Sequence, residues 1–139
     1  MDILVERLIA APPAAVASVM FDPSNDPQWI GGAKSVHPLT PGALALGSRV
    51  RRQGGFLGRK FSWVTEVTAF EPEQRVEMAF LEGPMKGAVT YLIAPTNGGA
   101  RVSVRNHGGA DLKIPGMAWM LKRSVAKDLD RLAALVEAR

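Results

Sequence analysis

Few side chains in this chain of 139 residues are suited to covalent chemistry. With no cysteine present, a thiolate nucleophile, a thiolate metal site and a disulfide framework are all excluded. The two histidines are distant singles: His37 beside Pro38 reads as a loop residue, and His107 reads as a surface group, so no metal site is expected. Glu66 and Glu77 fall on neighbouring strands but share the polar face with Arg75, which makes them solvated partners rather than a general acid and base. The chain carries no G-x-S-x-G elbow, no H-E-x-x-H, no Walker loop and no G-x-G-x-x-G. Non-covalent chemistry is left. Tyr91 and Asn106 are polar handles within an apolar pattern, and Arg49, Arg51, Arg52, Arg59 and Lys60 form a basic cluster around Gly54-Gly55, with Phe56 and Leu57 expected at an exposed tip.

These residues have to be positioned by a small set of elements. Asp2 to Ala10 reads as a strand, stopped by Pro12-Pro13, whose fixed φ suits the start of a helix. Val16, Val19 and Met20 give that helix one apolar side, and Asp22-Pro23 ends it. Ser24 to Ile30 is a further helical turn or two closed by Gly31-Gly32, and His37 to Gly47 reads as a connection. From Ser48 to His107, turn signals at Gly54-Gly55, Glu71-Pro72-Glu73, Gly83-Pro84 and Asn97-Gly98-Gly99 separate alternating runs, the pattern of an antiparallel meander. Simple hairpins would set Val67 opposite Met78, Thr65 opposite Phe80, Phe80 opposite Val89, Met78 opposite Tyr91 and Tyr91 opposite Val104. Trp63, Thr65, Met78, Phe80, Val89, Tyr91 and Asn106 then share one mostly apolar face. Met117 to Ala138 is the longest helical pattern, with Met117, Leu121, Val125, Leu129, Leu132 and Val136 at spacings of three and four. That helix must cover the apolar face of the sheet.

Composition fits this plan. A 47% hydrophobic and 22% charged chain of this length is an α+β globular domain with one core, expected to run as a single unit over 1–139. No apolar run approaches the ~20 residues of a bilayer-spanning helix. The N-terminus lacks the pattern of a signal peptide, so a cytoplasmic location is expected. A net charge of +4 is a mild excess, and a single aromatic beside the basic cluster gives no support to nucleic-acid binding.

The order of motifs also resembles a known family. Ala10-Ala11-Pro12-Pro13-Ala14-Ala15-Val16, then Asp22-Pro23 with Pro27 and Trp29, Gly42 and Gly47, Tyr91-Leu92-Ile93-Ala94-Pro95 before Gly98-Gly99, and Asp128-Leu129-Asp130-Arg131-Leu132 are similar to the signature of START-like proteins of the polyketide cyclase/dehydrase (SRPBCC) superfamily. The resemblance covers essentially the whole chain. It implies a helix-grip fold, a bent antiparallel sheet wrapped around the C-terminal helix, with two short helices closing one end. It also implies a cavity between sheet and helix, with Trp29 near its mouth.

The expected function is non-covalent binding of a small hydrophobic molecule, without a cofactor. Trp29, Trp63, Thr65, Met78, Phe80, Val89, Tyr91, Asn106, Met117 and Leu121 are the candidate contacts. Asn106 is singled out because an amide buried among Val89 and Phe80 needs a partner. Two rivals stand beside this reading. One is a cyclase or dehydrase acting on a ligand in the same cavity, with Tyr91 or Asn106 polarising a carbonyl. The other is an interaction module using the hairpin 49–60, whose Arg49, Arg51, Arg52, Arg59 and Lys60 would suit an acidic carrier protein; a homodimer is also open.

Overall fold

The computed structural model describes residues 1–56, 58–109 and 114–138. Strand β1 (Asp2–Ile9) leads through Pro12 into helix α1 (Pro13–Met20), a 3-10 turn at Pro23–Asn25 and the single-turn helix α2 (Asp26–Trp29). Six strands follow: β2 (Ala33–Pro38), β3 (Arg49–Phe56), β4 (Arg59–Glu71), β5 (Arg75–Glu82), β6 (Ala88–Thr96) and β7 (Gly99–His107). Helix α3 (Met117–Glu137) completes the chain. The strands form one antiparallel sheet in the order β1-β7-β6-β5-β4-β3-β2, so the meander is closed on one side by the N-terminal strand pairing with β7. This is the α+β helix-grip architecture.

Two of the expected hairpin registers are present: Thr65 opposes Phe80, Val67 opposes Met78, and Tyr91 opposes Val104. Between β5 and β6 the register is displaced by two residues, so Val89 faces Met78 and Tyr91 faces Val76. The turn there is not a tight hairpin at Gly83-Pro84; it extends to Gly87, whose φ of +86° takes it out of the strand. A shift of two leaves each side chain on its expected face, because the strand repeat is also two. Sequence reading missed β2, which occupies part of what looked like a connection. His37 and Pro38 lie in this edge strand, where a missing N–H does no harm to the ladder. Gly54 permits the close approach of β3 to the segment before β2, since a Cβ on it would fall 1.7 Å from the Gly32 carbonyl oxygen.

Bulges at Val64/Thr65 and Val67/Ala69 bend the 13-residue β4, curling the sheet toward α3. The core lies beneath the second half of that helix. Leu129, Leu132, Ala133 and Val136 are buried against a cluster that includes Ile9, Val16, Met20, Val76 and Val102. The first half behaves differently: from Met117 to Lys127 no residue is fully buried. The helix packs chiefly on β1, α1 and α2, which leaves its N-terminal turns spanning open space above the sheet.

Candidate functional site

That open space is a cavity of about 460 Å³. All ten candidate contacts line it. Trp63, Thr65, Met78, Phe80, Val89, Tyr91 and Asn106 rise from the concave sheet face, Met117 and Leu121 descend from α3, and Trp29, expected near the mouth, is instead buried and closes the inner end from α2. Phe61 continues the same face of β4 and packs against Trp63 with ring centroids 5.5 Å apart. Val125 continues the helix side, four residues after Leu121, and at Asp128 the helix passes from roof to core.

The inner end is polar and was only partly visible in the sequence. Arg52, expected in the exposed basic cluster, is 4% exposed and lines the cavity. Its Nε donates to Asp26 Oδ2 at 2.5 Å and its Nη1 to Thr65 Oγ1 at 2.7 Å. The correction follows from strand alternation. Val50, Arg52 and Gly54 share one side of β3, and Val50 is a core residue, so Arg52 has to face inward too. Asp26 was missed altogether, although an acid in a short helix next to a buried tryptophan is the natural counter-ion for such an arginine. Both members are taken out of water, and each is held by the other.

The basic hairpin shrinks accordingly. Arg49 and Arg51 lie within ion-pair distance of Glu66 and Glu82, while Arg59 and Lys60 remain exposed. The tip expected at Phe56 and Leu57 lies outside the described side chains. On the outer face Glu77 approaches Arg75 at 3.9 Å, and His107 Nε2 lies 3.0 Å from Thr90 Oγ1 and 3.6 Å from Glu77. His37 is exposed. Among the described residues no group of three or more His, Cys, Asp or Glu side chains converges on a metal-sized site.

Burial sets the electrostatics at the inner end. It pushes the Asp26 carboxyl above the usual carboxylate range, with the Arg52 guanidinium acting against that rise. The same effect raises Asp128, opposed by the Gly31 N–H that donates to its Oδ1 at 3.0 Å and by Arg131 at 2.9 Å. Burial, followed by the nearby Asp26 carboxylate, moves the Tyr91 phenol far above its ordinary value, so the hydroxyl stays protonated and able to donate. Tyr91 meets the Trp29 ring edge-on at 5.7 Å. Trp29 Nε1 is buried with no hydrogen-bond partner among the described residues. Asn106, expected to be buried and in need of a partner, is only half-buried, and its amide has no hydrogen bond among the described residues.

A bent antiparallel sheet, a C-terminal helix anchored at one end and a cavity between them define a helix-grip protein. The sequence matches the family described as polyketide cyclase / dehydrase and lipid transport over residues 2–137, and the chain belongs to that family. Among solved structures it resembles TTHA0849 from Thermus thermophilus, at 21% identity and a TM-score of 0.82, over 99% of this chain and 98% of that one. It resembles DynU16 of the dynemicin biosynthetic locus at 20% identity and a TM-score of 0.72, over 98% of this chain but 47% of that one. The Aha1 protein of Colwellia psychrerythraea, solved as a dimer, matches at 17% identity and a TM-score of 0.73, over 99% of this chain and 96% of that one. The structural likeness shows a common fold. No protein of curated function matches the sequence significantly. No helix among the described residues is long and apolar enough to cross a membrane.

Proposed function

We propose that this protein binds a small, largely hydrophobic molecule, non-covalently, in the cavity between the sheet and the first half of α3. One observation carries the reading: α3 buries its inner face in the core from Asp128 onward, yet its first half roofs about 460 Å³ of space walled by aromatic, methionine and aliphatic side chains. That volume lies within the range of roughly 300–1,000 Å³ common for small-molecule sites. A two-ring aromatic that loses about 250 Å² of apolar surface gains about 6 kcal/mol at ~25 cal/mol per Å², from which the cost of association is subtracted. Trp29, Tyr91 and the half-buried Asn106 amide would set its orientation. The reading requires no bond to form or break, and the enzymatic rival would draw on the same walls.

The test is titration with Nile red, a neutral dye that brightens in apolar surroundings, on the native chain and on Ser124→Phe. Ser124 is half-buried and faces the cavity from α3, so a phenyl ring there occupies the space without disturbing the anchored half of the helix. Saturable emission from the native protein, lost in a variant that keeps its circular dichroism and melting cooperativity, is the expected result. Equal emission from both proteins, or no saturable uptake by the native one, would remove the cavity as a binding site.

A further inference from the structure

The polar groups at the inner end of the cavity are unevenly matched. Trp29 Nε1 is buried and donates to nothing among the described residues. The Tyr91 hydroxyl has no hydrogen bond there either. Arg52 spends Nε on Asp26 and Nη1 on Thr65, and the contact of its Nη2 is the Met78 thioether sulfur at 3.9 Å. The Thr65 hydroxyl points to the same sulfur at 3.8 Å. Thioether sulfur is a weak acceptor. Four cavity-lining residues therefore carry donors with no oxygen to receive them, and two of the local acceptors, Asp26 Oδ2 and Thr65 Oγ1, already receive from Arg52. Water can serve Tyr91, Arg52 and Thr65 in the empty protein, while the enclosed Trp29 nitrogen has no room beside it for one. A ligand that displaces the water has to bring an acceptor, since each buried donor left unpaired costs about 1–3 kcal/mol.

Charge decides which acceptor. The Arg52 cation is countered by Asp26 at 2.5 Å, and Asp128, which also lines the cavity, is countered by Arg131. At this end a ligand carboxylate would be a third negative group beside two others, stripped of its own hydration, with no cation unclaimed among these groups; Lys86, which also lines the cavity, is exposed in the turn before β6 and keeps its ammonium in water. An uncharged carbonyl oxygen offers two lone pairs and little desolvation penalty by comparison.

Resting on the cavity reading above, we infer that the ligand carries an uncharged hydrogen-bond acceptor of the ketone, ester or amide type at the end that meets Tyr91 and Arg52, and that a carboxylate of the same shape is disfavoured.

Three probes of nearly equal shape separate the alternatives: 2-acetonaphthone, 2-naphthoate and 2-ethylnaphthalene, each used to displace Nile red at pH 7.5 from the native chain and from Tyr91→Phe. The ketone is expected to bind at least about tenfold tighter than the carboxylate. Tyr91→Phe removes one donor and should weaken the ketone about three- to tenfold, the range for a single neutral hydrogen bond, with the hydrocarbon changed less than twofold. In the native complex the ketone carbonyl stretch should fall below its position in hexane, a readout independent of the variant. A carboxylate that binds as tightly as the ketone would overturn the inference while leaving the cavity reading intact. An unshifted carbonyl stretch, or equal losses for ketone and hydrocarbon in Tyr91→Phe, would do the same. Failure of all three probes to displace the dye would take the cavity reading down with it.

Discussion

Replacing Asp26 by leucine isolates the energetics of the inner end. The substitution leaves the Arg52 guanidinium, whose side chain is 5% exposed, without its counter-ion and with only the Thr65 hydroxyl as an oxygen acceptor. Breaking one side of a buried pair typically costs about 3–5 kcal/mol, most of it the desolvation of the charge left behind. For a chain of 139 residues the unfolding entropy near the midpoint is about 0.3 kcal/mol/K, so that loss lowers Tm by about 10–17 °C. The double variant Asp26→Leu with Arg52→Met removes both charges and fills similar volume with apolar atoms. It should return to within about 1–2 kcal/mol of the native protein, or exceed it. Urea denaturation of the native chain, both single variants and the double variant closes the cycle. A loss below about 1 kcal/mol for Asp26→Leu would show that the stranded cation is not desolvated. A double variant as unstable as the single one would assign the loss to packing around α2 instead. Either result would refute the argument that the pair exists because each charge holds the other in a dry place.

The divided role of α3 makes a second prediction: Leu129→Ala, in the buried half, should cost about 2–5 kcal/mol, whereas Leu121→Ala, which only enlarges existing space, should cost less than about 1 kcal/mol by urea denaturation. A third concerns Asp128. A carboxyl raised on folding contributes stability that is fully present below its unfolded value of 3.8 and is lost as pH rises through its folded value. Asp128→Asn, whose side-chain oxygen can still accept from the Gly31 N–H, should therefore gain on the native protein between pH 4 and pH 7. A difference that is constant with pH, or that moves the other way, would contradict the assigned effect of burial.

Much of the architecture was legible because strand alternation and turn residues agreed with each other. The faces of β4 to β7, and with them the cavity wall from Trp63 to Asn106, follow from a repeat of two that survives even the displaced β5–β6 register. Beyond that, reading failed where the determining partner was distant. Strand β2 carries weak alternation and ends in proline, so its existence rests on pairing with β3 rather than on its own residues. Arg51 and Arg52 look alike in sequence, yet adjacent strand residues point opposite ways: one lies 3.4 Å from Glu82 on the outside, and the other is buried with Asp26. Val50 on the same side of β3 was the available signal. The unpartnered Trp29 indole and the shared thioether contact of Arg52 and Thr65 had no signature at all, because hydrogen-bond surplus is a property of convergence in space.

The two halves of α3 bear on how such a protein changes over generations. Substitutions at positions 117, 121 and 124 alter the ceiling of the chamber without touching the residues that seat the helix on β1, α1 and α2. A randomised library at those three sites should consist mostly of folded members with differing appetites, while the same effort at 129, 132 and 136 should yield mostly aggregates. A lineage built this way can trade one guest for another in single mutational steps, with no detour through unfoldable ancestors.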